Sequence, residues 1–310
     1  MRNDLISIIM SVYNEKIEYI KSSIESIINQ TYTNLELIIV CDNPKNTDIK
    51  NLIFNYSNKD ERIRIIVNNE NIGLCLSLNK AILISKGKYI ARMDADDISM
   101  LDRLECQKKY LLENNLDIIG SGLICIDEKG KEINILNKYP LDNKTFMKKI
   151  VYNNCMAHPT WFGKREVFIN NNGYRNIDYA EDYDFILRGL KFGYKMGNIN
   201  KILLQYRIRE NSISKSNGLN QYITFCKLLS FYKNDQLDNL DKIKNSIKEA
   251  NEGLDKQQYE KYQKASNYFL IASKKIYNKK LSGFCYLFKA ICESKFYRRK
   301  IYSYFKGIMW

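Results

Sequence analysis

Ile6-Ser7-Ile8-Ile9-Met10-Ser11-Val12 is a short aliphatic run broken only by two serines, and Leu35-Glu36-Leu37-Ile38-Ile39-Val40 is a second. Runs this short, apolar at nearly every position rather than every other one, predict strands covered on both faces. Between them Ile17, Ile20, Ile24, Ile27 and Ile28 recur at helical spacing and predict an amphipathic helix. Working outward, the alternation repeats. A helix over about Asp48–Tyr56 is followed by a strand at Ile63–Val67, a helix at about Leu74–Ser85 and a strand at Tyr89–Met93. Strand–helix–strand units of this length require right-handed crossovers, so the first hundred residues predict an α/β fold with a doubly wound, mostly parallel sheet.

After Asp97 the rhythm changes. A helix marked by Leu101, Leu104, Leu111 and Leu112 leads to an apolar strand at Ile118–Ile126. The turn Asp127-Glu128-Lys129-Gly130 then returns the chain into Ile133–Leu136, which predicts an antiparallel extension of the sheet. From about His158 to Arg209 short strands mix with one helix at Asp182–Phe192. From Leu219 onward the pattern is helical, polar and lysine-rich. A boundary near Ser216–Gly218 divides the chain into an α/β domain at 1–217 and a basic helical C-terminal region at 218–310.

Composition narrows the function. The 310 residues are 45% hydrophobic and 27% charged, which supplies a sizeable core and excludes a disordered chain. The longest apolar stretch, Leu5–Val12, is far short of a membrane span, and Asp4 stands where a signal sequence would be apolar. A cytoplasmic protein is expected, and a processive synthase that threads its product through the membrane is not. Eight cysteines without a Cys-x-x-Cys pair, and the single His158, argue against a zinc site and for reduced, mostly buried thiols. The net charge of +14 is concentrated: ten Lys/Arg against one acid, Glu293, lie between Lys274 and the end. A nucleic-acid-binding protein would explain that tail, but it leaves the acidic residues of the first domain without purpose.

Ligands of a doubly wound sheet bind beyond the carboxyl ends of its strands. Those ends read Ser11-Val12-Tyr13-Asn14-Glu15, Cys41-Asp42-Asn43 and Asp94-Ala95-Asp96-Asp97, which brings an aromatic ring and several carboxylates around one crevice. Such a cluster repels itself unless a cation sits in it. In an extended backbone Asp94 and Asp96 leave on one face and Ala95 on the other. Hard oxygen donors of this kind suit Mg²⁺ or Mn²⁺ completing its shell with phosphate oxygens. Neither Gly-x-Gly-x-x-Gly nor Gly-Lys-Ser/Thr is present, so the phosphates would be held by metal rather than by a glycine-rich backbone.

Ile8–Glu15, Ser26–Tyr32, Glu36–Asp42, Asn71-Ile72-Gly73-Leu74, Gly87–Asp97, Glu181-Asp182-Tyr183-Asp184 and Tyr206-Arg207 with Ser212-Ile213-Ser214 together resemble family 2 glycosyltransferases of the GT-A fold, over about residues 5–215. The resemblance implies inverting transfer of a sugar from a nucleotide diphosphate, UDP favoured, to an acceptor hydroxyl in capsule, O-antigen or other surface glycan synthesis. It implies nucleotide-sugar contacts at Ser11, Tyr13, Glu15, Asp42, Arg92, Asp94 and Ala95, with Tyr13 stacking on or bordering the base and Asp42 hydrogen-bonding it. Asp96, with Asp94, would hold the metal, and Asp182 would be the catalytic base. His158, Trp161 and Glu181 are candidates for the acceptor site, although a lone histidine often serves structure and Trp161 could equally fill the core. A non-catalytic subunit of a synthase complex is the remaining alternative.

The chain departs from the family pattern at several positions. Ser11 stands where proline is common, Cys41 replaces an aspartate, Asn43-Pro44 replaces a Gly-Ser turn, Ser77-Leu78-Asn79 lacks an arginine, and Arg209 occupies a frequent histidine position. Arg92 or Lys80 would replace the lost positive charge at the phosphates. Asp184 and Arg188, four apart, read as a helix-surface ion pair. In the tail, Phe284, Tyr286, Phe288, Phe296, Tyr297, Tyr302, Tyr304, Phe305 and Trp310 alternate with basic residues. This suits peripheral contact with an anionic membrane, or a helix packed on the protein. Ile291 and Ile301, ten apart, shift the apolar stripe by nearly a quarter turn, which argues against one ideal amphipathic helix.

Overall fold

The computed structural model describes residues 3–209 and 217–309; Ser212-Ile213-Ser214, Ser216 and Trp310 lie outside the described residues. The chain forms two compact units, the first built from 1–147, 154–176 and 184–210 and the second from 148–153, 177–183 and 211–310.

The first unit carries the sheet. Its elements run β1 (Ile6–Val12), α1 (Ile17–Ile28), β2 (Leu35–Cys41), α2 (Thr47–Ser57), β3 (Ile63–Val67), α3 (Leu74–Ile84), β4 (Tyr89–Asp94), β5 (Ile98–Ser99), α4 (Arg103–Glu113), β6 (Ile118–Ile126) and β7 (Glu132–Leu136). The chain continues through α5 (Asn143–Ile150), β8 (Phe162–Lys164), α6 (Arg165–Asn170), α7 (Glu181–Lys191) and β9 (Met196–Arg207), with residues 148–150 of α5 and 181–183 of α7 counted in the second unit. The strand order is β3-β2-β1-β4-β8-β6-β9-β5, with β7 paired to β6. The first four strands by sequence are mutually parallel, as the alternating pattern requires, and β8 joins β4 and β6 antiparallel to both. The β6–β7 hairpin is the expected antiparallel extension.

β1 and β2 are buried at nearly every position, so both faces are covered, and on one of them Ile6, Ile8, Met10, Leu37 and Ile39 pack with Ile20, Ile24 and Ile27 of α1. Ser7 interrupts the run but not the burial. Its hydroxyl donates to Glu36 Oε1 (2.6 Å) and accepts from the Gly87 amide (2.8 Å), tying both strands to the turn that enters β4.

Asp184 and Arg188 pair as their spacing suggests, but not at the surface. Asp184 is fully buried, and its carboxylate accepts from Arg188 Nε (2.9 Å) and from the guanidinium of Arg175. Arg188 also donates to the carbonyls of Asn171 and Gly173. The inward-facing apolar residues of α7 carry this charge cluster into the core, where full hydrogen bonding offsets its desolvation.

The second unit is helical, with α8 (Gly218–Lys233), α9 (Leu240–Glu252), α10 (Lys256–Tyr277), α11 (Ser282–Glu293) and α12 (Lys295–Met309). Asp255 and Gln258 close a reciprocal capping box on α10. Gly283 lets α11 approach α10 closely, since a Cβ there would lie 2.7 Å from Ile276 Cγ1. The backbone is extended at Ser294, so Ile291 and Ile301 belong to different helices and their ten-residue offset is no longer a conflict. Among the described residues no helix is long and apolar enough to cross a membrane. Four of the five cysteines of the first unit are buried, whereas Cys226, Cys285 and Cys292 of the second are exposed. The expectation of mostly buried thiols therefore fails for the helical unit, whose small core covers fewer side chains.

Asp184→Ala should leave the buried guanidinium of Arg188 and the half-buried one of Arg175 short of their carboxylate and cost about 3–5 kcal/mol. Urea denaturation would read this as a lowered midpoint at unchanged slope.

Candidate active site

In the sheet β1 lies between β2 and β4, and Ser11 is level with Val40 on one side and Asp94 on the other. Parallel pairing in this register ends the three strands at one edge, and their loops meet there. Asn43 Nδ2 donates to Asn14 Oδ1 (2.6 Å) and links the first two loops. Tyr13 is 41% exposed, while its amide donates to Glu15 Oε2 (2.8 Å) and holds the loop turned. Ser11 is half-buried at the end of β1.

Asp42 is buried and already engaged. Its Oδ1 accepts from Asn68 Nδ2 (2.7 Å) and the Ile72 amide (2.9 Å), and its Oδ2 accepts from the Gly73 amide (2.8 Å). Gly73 has φ +85°, a conformation that favours glycine, and it starts α3. Asp42 thus holds the loop that leads into α3. Asn68 also donates to Ser77 Oγ (3.0 Å) and accepts from Lys80 Nζ (2.8 Å), so Lys80 braces this loop.

The turn after β4 departs from the extended geometry expected of it. The strand ends at Asp94 and the backbone turns at Ala95-Asp96, with the Asp97 amide reaching back to the Asp94 carbonyl (3.4 Å). Asp94 and Asp96 take separate partners. Arg92, two residues earlier and on the same face of β4, forks onto Asp94 through Nη1 (2.9 Å) and Nη2 (2.6 Å). It is buried and committed to that carboxylate, which corrects its reading as a phosphate ligand. Asp96 is buried, and its Oδ2 pairs with Arg209 Nε (2.8 Å). The arginine at the frequent histidine position is therefore a cation held against the candidate metal ligand.

Burial, and then the charge of Asp94, push the Asp96 carboxyl up to about 6 despite Arg209. Asp97 is buried completely and pushed well above the carboxylate range by the same two causes. Its Oδ1 accepts from the Arg207 amide (2.9 Å), while its Oδ2 has no hydrogen-bond partner among the described residues. Three acids within four residues are thus crowded beyond what their surroundings compensate, and burial and mutual repulsion favour protons or a cation among them. No three His, Cys, Asp or Glu side chains form a ready cage among the described residues. The donor set fits a hard divalent cation that takes one or two protein oxygens and the rest from a bound diphosphate.

Sequence pattern gives Arg207 and Arg103 no role, yet both build the site. Arg207 lies over the Tyr19 ring (4.2 Å) and donates through Nε to the Asp96 carbonyl (2.9 Å). Arg103 is fully buried beneath β4 and donates to the carbonyls of Arg92 (2.8 Å) and Pro159 (3.1 Å). A signal was available: an arginine inside a segment expected to be buried must find acceptors.

Trp161 and His158 are corrected from acceptor candidates to core residues. Trp161 is completely buried among His158, Tyr174 and Phe185, with centroids 4.5 to 6.2 Å away, and presents no face to a sugar. His158 Nε2 shares a hydrogen bond with the Tyr174 hydroxyl (2.9 Å), and burial holds its imidazole well below the usual range, hence neutral. Glu181 and Asp182 open α7 and belong to the second unit. Asp182 Oδ1 accepts from the Tyr183 amide (2.7 Å), and Tyr179 just before it has φ +68°, an uncommon conformation for a non-glycine residue.

The sequence matches Glycosyl transferase family 2 over residues 7–171, and the chain belongs to that family. The match takes in all three strand-end loops and stops before Asp182. An uncharacterized glycosyltransferase of Methanocaldococcus jannaschii, MJ1057, is 38% identical over 252 residues, covering 75% of this chain and 86% of that one. The O-antigen biosynthesis glycosyltransferase WbnJ of Escherichia coli is 40% identical over 216 residues, 69% of this chain and 83% of its own. Among solved structures, residues 1–349 of S. aureus TarS superpose with a TM-score of 0.57 at 15% identity, covering 98% of this chain and 88% of that one; TarS has also been solved with UDP and with UDP-GlcNAc.

The raised Asp96 carboxyl has a consequence for stability. The folded protein keeps this proton to about pH 6, whereas an unfolded aspartate loses it near 3.8, so the group's contribution is full below the lower value and is lost as pH rises through the upper. Asp96→Asn removes that loss, and Arg209, 40% exposed, can be solvated in its absence. The variant should melt above the wild type near about pH 7.5, by about 2–4 °C per kcal/mol recovered, with no advantage left near about pH 4. Melting curves across that range check it.

Proposed function

We propose that this glycosyltransferase is an inverting, metal-dependent enzyme that moves a sugar, hexosyl or N-acetylhexosaminyl, from a UDP-sugar to a hydroxyl of a growing surface glycan or glycolipid. The observation that carries this reading is the crowded acidic turn Asp94-Ala95-Asp96-Asp97 at the edge where Tyr13 is exposed. The UDP and UDP-GlcNAc complexes of TarS support the nucleotide, and the O-antigen assignment of WbnJ supports the product class.

Tyr13 offers its ring to the base, and Ser11 and Glu15 line the nucleotide pocket beside it. Asp42 acts indirectly, by fixing the loop to α3. Asp94, clamped by Arg92, faces the ribose with Ala95 as the small residue that permits close approach. Asp96 would hold Mn²⁺ or Mg²⁺, which when bound neutralises charge on the departing diphosphate. Arg209 then exchanges Asp96 for diphosphate oxygens, to which a guanidinium forks well. Asp182 takes the acceptor hydroxyl proton while that oxygen attacks the anomeric carbon. The carbon–oxygen bond to the diphosphate breaks with its electron pair, and displacement from the opposite side inverts the centre. The acceptor, in this reading, is a glycan or lipid-linked glycan met at the cytoplasmic face of the membrane.

UDP, GDP, dTDP and CDP, each with and without Mn²⁺, separate this reading from a non-catalytic one. At about a hundred times its dissociation constant the correct nucleotide should stabilise the protein by roughly 2.7 kcal/mol, only with metal, and Asp96→Asn should abolish the shift. A well-folded protein that responds to none of the four would sink the donor site.

Asp182→Asn should keep the nucleotide-dependent shift and lower turnover of a UDP-sugar by about 10²–10⁴-fold. Unchanged turnover would remove Asp182 from the mechanism.

A further inference from the structure

α11 has two apolar faces. One packs on α10 through Gly283, Leu287 and Ala290. The other, about a third of a turn away, carries Phe284 (58% exposed) and Phe288 (66%), continued by Leu281 (82%) at the N-cap, and nothing among the described residues covers it. Scattered exposed apolar residues are ordinary, but three large ones in a row along a helix have a hydration cost that only a partner relieves. α12 repeats the arrangement: Tyr297 and Ile301 point into the helical core, while Tyr302 (63%) and Phe305 (43%) point outward with Arg298, Arg299 and Lys306 on the same side.

Charge identifies the partner. From Lys274 onward ten cationic side chains meet one acid, Glu293, and that acid is neutralised by Lys264 (3.5 Å). The break at Ser294 divides the region into two short helices, each with its own buried stripe and its own outward aromatic stripe. A core helix needs only the first stripe, and a solvated lysine-rich face has no use for phenylalanine.

We propose that the outward faces of α11 and α12 form a docking surface for an anionic lipid bilayer. Leu281, Phe284 and Phe288 enter the boundary between headgroups and acyl chains, while the surrounding lysines and arginines pair with lipid phosphates. Aromatic rings with basic neighbours suit that boundary, and the combination gives attachment without a membrane span. The inference rests on the proposed function in one respect, that a membrane-borne acceptor supplies the reason to dock. It would keep the enzyme where a lipid-linked acceptor is confined.

The test is co-sedimentation of the full chain with vesicles of phosphatidylcholine alone or mixed with phosphatidylglycerol. Binding to the mixed vesicles, weakened by salt and absent with phosphatidylcholine alone, is expected. Phe284→Ser/Phe288→Ser should lower the partition at least about tenfold. Removing Arg298 and Arg299 should lower it about fivefold for each charge. Both side chains of the serine double variant are exposed, and unchanged circular dichroism together with an unchanged nucleotide-dependent melting shift certifies its fold. Wild-type protein that stays in solution with both vesicles, or a serine variant that binds as the wild type does, overturns the proposal. So does tight, salt-sensitive binding to a DNA duplex without vesicle binding, which would assign the surface to nucleic acid. Vesicle binding that persists in a protein unresponsive to every nucleotide would overturn the donor reading and leave this one standing.

Discussion

The mutual repulsion and desolvation of Asp94, Asp96 and Asp97 is the constraint around which the first unit is arranged. Three adjacent acids at the end of a buried strand are unfavourable unless cations and amides reach them. Four arginines respond, each differently. Arg92 forks onto Asp94, Arg209 pairs with Asp96, Arg207 supplies an amide to Asp97 and a guanidinium to the Asp96 carbonyl, and Arg103 secures the backbone of β4 from below. Even so, burial keeps Asp96 and Asp97 above the carboxylate range, and one oxygen of Asp97 stays unpartnered. A site left in this condition favours the arrival of a cation.

The same logic separates groups that act from groups that support. Asp42 spends its carboxylate on the amides of Ile72 and Gly73, and so holds the shape of the loop before α3. Asp184, close in sequence to Asp182, is sealed in a cluster with Arg175 and Arg188. Buried, fully paired charges hold structure together. Exposed or under-compensated ones remain available for chemistry.

Much of this can be read from the linear chain. β1, β2 and β4 appear as short apolar runs because burial on both faces leaves no alternation, and α1 appears because only one of its faces is covered. The gathering of Tyr13, Asp42 and Asp94 also follows, since parallel neighbouring strands must end at the same edge. What cannot be read is which partner each acid takes. Arg207 lies 110 residues from Asp97 in sequence, and only the pairing of β9 with β5 and β6 brings it there. Trp161 and His158 look alike in sequence whether they face a sugar or a core.

The sequence by itself determined the elements, their alternation, the family, and the set of residues at the strand ends, because local periodicity and chain connectivity decide these. Tertiary structure alone decided the rest. It turned the backbone at Ala95-Asp96, buried the Asp184 cluster and Trp161, grouped residues 148–153 and 177–183 with the helical unit, and left Phe284 and Phe288 in water. These outcomes depend on which surfaces meet, and burial is a property of the packed molecule that no single segment carries.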